Sequence, residues 1–197
     1  MTAEVRPVAA LFVLPDSIYR TLPGVDCYDE ERDALMFPGG MPVVAHPPCR
    51  LWGKLRFFSK APPEEKELAI WAVDQVRRWG GVLEHPQGSQ LWAEKSLPEP
   101  GAGRDEYAGW TLVVDQFWWG HKARKRTRLY ICGCAQKDMP AMSFRMGQAT
   151  HTVGLYSGRN KKTCRPEIPK AERSATPPAF AAWLVEVARR TQTEAPR

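Results

Sequence analysis

No apolar run in this 197-residue chain approaches the roughly 20 residues of a membrane-spanning helix, so a membrane partner is not expected. The opening residues, Met1 to Pro7, lack the apolar core of a secretory signal, which predicts a cytoplasmic protein. Cysteine is scarce and odd in number: the five are Cys27, Cys49, Cys132, Cys134 and Cys164. A cytoplasmic chain of this size does not need disulfides. Cys132, Cys134, His151 and Cys164 match no standard zinc spacing, and no metal is expected. Internal repeats and long low-complexity linkers are absent, which excludes a solenoid and points to one domain over 1–190 with a short tail, 191–197. Glycine is also missing from the first 23 residues, and that absence bears on cofactor binding.

What the chain does have is an ordinary globular balance, 43% hydrophobic and 25% charged, with a net charge of +6. The excess is concentrated in His121 to Arg128 and in Arg159 to Lys162 with Arg165, a pattern that favours an anionic partner, nucleic acid first. A solvated basic face is the alternative. Eight tryptophans are many for this length, and Trp118-Trp119 stand directly before the first basic run. Aromatics beside cations suit base stacking, although core packing is the commoner use of Trp.

The pattern of elements predicts an α/β fold. Val8 to Leu14, Gly24 to Asp29, Pro42 to Ala45, Val82-Leu83, Thr111 to Val114 and Arg128 to Cys132 read as strands. A helix opens at Pro62-Pro63-Glu64-Glu65, with proline and acid in its first turn, and stops at Gly80-Gly81. A second runs from Pro177-Pro178 to Arg190, and Pro86 to Gly109 reads as a loop. Strands alternating with helices imply a mostly parallel, Rossmann-like sheet with helices on both faces, and the short link between the last two strands implies one antiparallel member at an edge.

Cys49 is the most informative residue. Val43-Val44-Ala45 runs into His46-Pro47-Pro48, and the prolines end the strand, so the thiol falls at the carboxyl edge of the sheet, where open α/β folds place their chemistry. A buried core cysteine is the plain alternative. Three further segments follow in order: Glu84-His85-Pro86, Arg124-Lys125-Arg126-Thr127-Arg128, and Ala175-Thr176-Pro177-Pro178.

This ordered set resembles the DNA (cytosine-5) methyltransferases, in a compact form like that of phage members. There a Pro-Cys loop carries the nucleophile, a Glu-Asn-Val segment the base-binding acid, and a Gln-x-Arg-x-Arg segment the arginines. The resemblance implies a class I methyltransferase-like sheet with S-adenosylmethionine as donor. It implies catalytic roles for Cys49 as nucleophile at C6, Glu84 on N3 and the 4-amino group, and Arg128 on O2. It places Arg126, Arg124, Pro48 and His85 about the substrate, and Phe12, Asp29 and Glu30 about the cofactor. The chemistry needs these types: cytosine C5 is a poor nucleophile until a thiolate adds at C6, and a buried acid stabilises the charge that then builds on the base. Arg50 stands next to Cys49 and is a candidate for lowering its pKa. A structural histidine is the default for His46 and for His85.

The chain departs from the family in two places. The cofactor loop, usually Phe-x-Gly-x-Gly, is Phe12 to Arg20 without glycine, and only 13 residues, 30–42, separate Asp29 from Val43, too few for the usual further helix and strand. The interval Ala135 to Ser174, 40 residues, is small for a target-recognition domain, which implies weak sequence specificity, a single strand or a free pyrimidine nucleotide as substrate. Two other readings therefore stand beside methyl transfer. One is C5 modification with a donor other than S-adenosylmethionine; Pro-Pro-Cys also occurs in thymidylate synthases. The other is a non-catalytic DNA-binding or anti-restriction module on a degenerate methyltransferase fold.

Overall fold

The computed structural model describes residues 5–153 and 165–192. Six strands form one mixed sheet: β1 (Val8–Leu11), β2 (Val25–Tyr28), β3 (Val43–Ala45), β4 (Gly81–Pro86), β5 (Trp110–Asp115) and β6 (Arg126–Cys132), in the spatial order β2-β1-β3-β4-β6-β5. β1 pairs in parallel with β2 and β3, and β3 with β4, whereas β6 runs antiparallel to both β4 and β5. The antiparallel strand is thus one place in from the edge. The hairpin β5–β6 folds β6 inward against β4 and leaves β5 outermost. This corrects the expectation of an antiparallel edge strand.

Two long helices cover the two faces, α1 (Glu65–Trp79) and α4 (Pro178–Arg189); the shorter α2 (Leu91–Glu94) and α3 (Lys170–Ser174) lie between them in sequence. α2 falls within the segment read as loop. Alternation along the strands sorts the core. Ala9, Leu11, Val43, Ala45, Leu83 and Tyr130 face α1, with Ala69, Ala72, Val73 and Val76. Val8, Ala10, Val44, Val82, Leu129 and Ile131 face α4, with Phe180, Trp183, Leu184 and Val187. Trp119 belongs to the second core, its ring centroid 4.9 Å from Phe180, so this member of the tryptophan pair is a packing residue.

Local signals explain where the elements stop. Gly80 ends α1 at φ +74°, donating its N–H to Val76 O at 3.0 Å. Pro178 occupies the first turn of α4. Cys132 and Cys134 fall in opposite cores, so this pair cannot close on one ion. Cys164 and the basic cluster Arg159 to Lys162 lie outside the described residues.

The chain moves from β1 to β2 on one side and then to β3 on the other. The topological switch point is therefore between β1 and β3, and their carboxyl ends are joined by His46 N–H donating to Leu11 O at 3.0 Å. No helix among the described residues is long and apolar enough to cross a membrane.

Candidate active site

The carboxyl edge of the sheet collects His46 and Cys49 after β3, Glu84 in β4, Gln116 after β5 and Lys125 before β6. The backbone of Cys49 is fixed by a tight turn, its carbonyl accepting from Trp52 N at 3.0 Å and Gly53 N at 2.9 Å. Trp52 is buried and anchors the turn; Cys49 itself is exposed. Even so, the protein crowding its thiol pushes the pKa up, and the Glu84 carboxylate adds to the rise, while Lys125 pulls it down. Arg50 reaches the thiol through its charge alone. Its guanidinium is spent on Glu65, with Nε 2.7 and 2.8 Å from the two carboxylate oxygens and Nη2 bonded as well.

Glu84 is the best-held group at this edge. Oε2 lies 3.1 Å from Nδ1 of His46, and Oε1 accepts from Gln116 Nε2 at 3.0 Å. Burial alone would raise its pKa, but the His46 hydrogen bond and the Lys125 charge prevail, and the carboxyl is held at about 2. An ionised Glu84 requires His46 to donate from Nδ1. The other ring nitrogen, Nε2, lies 2.8 Å from the buried hydroxyl of Tyr19. Burial and the nearby Glu84 charge keep the Tyr19 phenol protonated, well above its usual pKa. Tyr19, His46 and Glu84 form one continuous hydrogen-bonded line under the sheet edge.

Asp115 supplies the other side of the site. Its Oδ1 accepts from the backbone N–H groups of Phe117 and Lys125, each at 3.0 Å, which pins the hairpin. Gln116 N–H donates to Lys125 O at 3.1 Å, so Gln116 and Lys125 are delivered together. Gln116 also bonds Thr127 Oγ1 at 3.0 Å, and its buried Oε1 has no hydrogen-bond partner among the described residues.

The arginines fall elsewhere. Cross-strand register pairs Glu84 with Leu129 and His85 with Arg128, so Arg128 lies on the α1 face and Glu84 on the α4 face. Arg128 forks onto Glu99, 3.1 and 2.7 Å, and stacks over Trp92. The O2 role that the resemblance implies for Arg128 conflicts with this placement. Arg124 bonds Asp115 Oδ2 at 3.3 Å and Gly147 O at 2.9 Å, and Arg126 is exposed at the mouth of β6. Lys125 is the cation whose charge reaches both Cys49 and Glu84.

His85 does not face the site either. It is 1% exposed, with Nδ1 2.7 Å from Ser89 Oγ and Nε2 unpartnered among the described residues. Burial drives its pKa down to about 4, against smaller upward effects of the Glu84 charge and the carbonyls of Pro48 and Pro47. His85 is thus held neutral near the Pro47 and Pro48 carbonyls, on the face of the sheet opposite Glu84. Pro48 is half-buried above it, beside Cys49.

The residues expected to hold S-adenosylmethionine do not fit a nucleoside. Phe12 has φ +60°, the region glycine takes freely, but its ring sits edge-on to Trp71 at 5.9 Å, against the core. Asp29 stands at the end of β2, where a ribose acceptor would be needed. One of its oxygens accepts from Arg32 N–H at 3.0 Å and the other is bonded by Arg20. That backbone bond, outweighing desolvation and aided by the Arg20 charge, holds the carboxyl below its usual range. Glu30 points into solvent.

Sequence reasoning missed Tyr19, Gln116 and Lys125. Gln116 carries no motif and is found only through the hairpin, Lys125 is one of four basic residues in the run 124–128, and Tyr19 sits in the short turn Ile18–Thr21, far from Glu84 in sequence. No protein-family model matches the chain, and no curated protein matches it.

Proposed function

We propose that this chain is a pyrimidine C5-modifying enzyme acting on DNA, of the cytosine-5 methyltransferase kind, in which Cys49 adds to C6 of a base held by Glu84. The observation that carries the reading is the partly buried, ionised Glu84, fixed on both oxygens by His46 and Gln116 beside the exposed Cys49 at the carboxyl edge of the sheet. The switch point between β1 and β3 supports it, as does the order of Pro-Pro-Cys, Glu and arginine segments.

The chemistry follows from the residues. The remaining lone pairs of Glu84 accept the 4-amino hydrogen of cytosine, and its charge raises the proton affinity of the adjacent N3. A solvent proton taken up at N3 withdraws electrons from C6. The Cys49 thiolate forms the S–C6 bond, the C5–C6 π pair moves onto C5, and C5 becomes nucleophilic. Lys125 favours the thiolate form of Cys49. Tyr19 holds the His46 ring that keeps Glu84 oriented.

S-adenosylmethionine is the donor that the resemblance implies, and it would supply a methyl electrophile. Because Asp29 and Phe12 are already engaged, the occupied carboxylate favours a second reading, in which the same covalent activation serves another one-carbon donor.

The test needs no donor. Reversible addition at C6 with protonation at C5 exchanges the C5 hydrogen with solvent. In heavy water, a cytosine-containing oligonucleotide is expected to gain deuterium at C5 with the wild-type protein and not with Cys49→Ser or Glu84→Gln. Binding without exchange by the wild type would overturn the catalytic reading in favour of a DNA-binding module.

A further inference from the structure

Immediately after the Cys49 turn the chain presents the most exposed aromatics among the described residues. Phe57 and Phe58 are 79% and 83% exposed, and Leu55 is 65% exposed. They alternate with cations in Lys54-Leu55-Arg56-Phe57-Phe58-Ser59-Lys60. The segment is held in shape. Arg56 to Phe58 form a tight helical turn, with Phe58 N–H donating to Leu55 O at 3.0 Å and Ser59 N–H to Arg56 O at 3.1 Å. Trp52 is buried at its base, and Gln90 N–H donates to Trp52 O at 2.9 Å. The Lys54 stem lies over Gly88, where an added Cβ would come within 2.7 Å of Lys54 Cε, so the loop is seated on the segment after β4. The Arg56 guanidinium stacks on Phe57 at 4.2 Å.

Two adjacent large aromatics facing water on an ordered turn are costly unless something covers them. The three surrounding cations specify a polyanion. Base faces are buried by stacking inside a duplex and free in a single strand, and aromatic side chains beside a cationic track are how single strands are held without sequence readout. We propose that Phe57 and Phe58 form a stacking platform for single-stranded DNA, with Lys54, Arg56 and Lys60 on its phosphates, feeding a base to the neighbouring Cys49. This rests on the pyrimidine-DNA reading of the Cys49 site and sharpens its substrate to the single strand.

The experiment is fluorescence anisotropy of a short cytosine-containing oligonucleotide, as a single strand and as its duplex, across a salt series. Wild type is expected to bind the single strand at least about tenfold more tightly, and Phe57→Ala/Phe58→Ala to lose about that factor while duplex binding stays constant. Replacing Lys54, Arg56 and Lys60 by Gln is expected to reduce the logarithmic salt slope by about two. Unchanged single-strand affinity in the phenylalanine variant would overturn the proposal. So would phenylalanine-dependent self-association or binding to anionic vesicles with no effect on DNA, since a second copy or a lipid surface would then be the occupant. Deuterium exchange at C5 separates the two readings. Exchange that survives the phenylalanine substitutions with unchanged binding sinks the platform alone; platform-dependent binding without exchange in wild type sinks the catalytic reading alone.

Discussion

Glu84 and Arg128 stand on neighbouring strands and face opposite sides of the sheet, because the register sets Glu84 against Leu129 and Arg128 against His85. One residue of register thus separates the acid from the arginine that the family resemblance would join to it. Arg128→Ala is therefore expected to leave C5 exchange within about twofold of wild type, whereas Glu84→Gln abolishes it. Its cost in stability is expected to be about 1 kcal/mol, since Glu99 is largely exposed and most of the loss is packing over Trp92. Thermal melting together with the exchange rate checks this; lost exchange with unchanged melting would restore the O2 role.

The thiol is tuned by two opposite charges. Burial and Glu84 raise the pKa of Cys49, and Lys125 lowers it. Glu84→Gln is expected to move the pH profile of alkylation by iodoacetamide to lower pH, and Lys125→Gln to higher pH, each unit being about tenfold in thiolate at neutral pH. Profiles that do not move would show that neither group reaches the sulfur.

Acid should weaken the fold in two stages. The His85 pKa falls from 6.5 to about 4 through burial, so between these values the unfolded chain binds a proton that the folded chain refuses. Its contribution is full above pH 6.5 and is lost as pH falls toward about 4, on the order of 3 kcal/mol. Glu84, held at about 2 against an ordinary 4.5, then gives up its contribution as pH falls from 4.5 toward 2. Urea unfolding from pH 7.5 down to pH 4 is expected to show the first loss, and His85→Gln to flatten it.

Gly81 is a backbone requirement. Its φ is +119°, and an added Cβ would lie 1.9 Å from Val43 O. Gly81→Ala is expected to destabilise by roughly 3 kcal/mol or more, read by denaturant midpoint, because the β3–β4 pairing must part to admit a methyl group.

Much of this architecture was legible in the residues. Proline and glycine punctuation placed α1, α4 and the Pro-Pro-Cys edge, since φ limits and missing donors act locally. Cys49 and Glu84 both stand toward the carboxyl edge, although Glu84 lies inside β4 rather than at the strand end expected for it. What stayed hidden depends on register and on hairpin geometry. Nothing local distinguishes Lys125 from Arg126, yet one residue's shift along β6 turns a side chain to the other face. Nor does sequence spacing show that Asp29 is already bonded by Arg20 and Arg32, nine residues before it and three after.

The packing of α4 sets an order of events during synthesis. This helix, residues 178–189, is the cover for Val8, Ala10, Val44 and Val82, which are among the earliest strand residues made. Until α4 has left the ribosome, one face of the nascent sheet lacks its main cover, and the edge that carries His46 and Glu84 cannot settle. Folding is then a late, chain-closing step dominated by long-range contacts. A chain stopped before Pro177 would be a sticky half-sandwich, a substrate for chaperones.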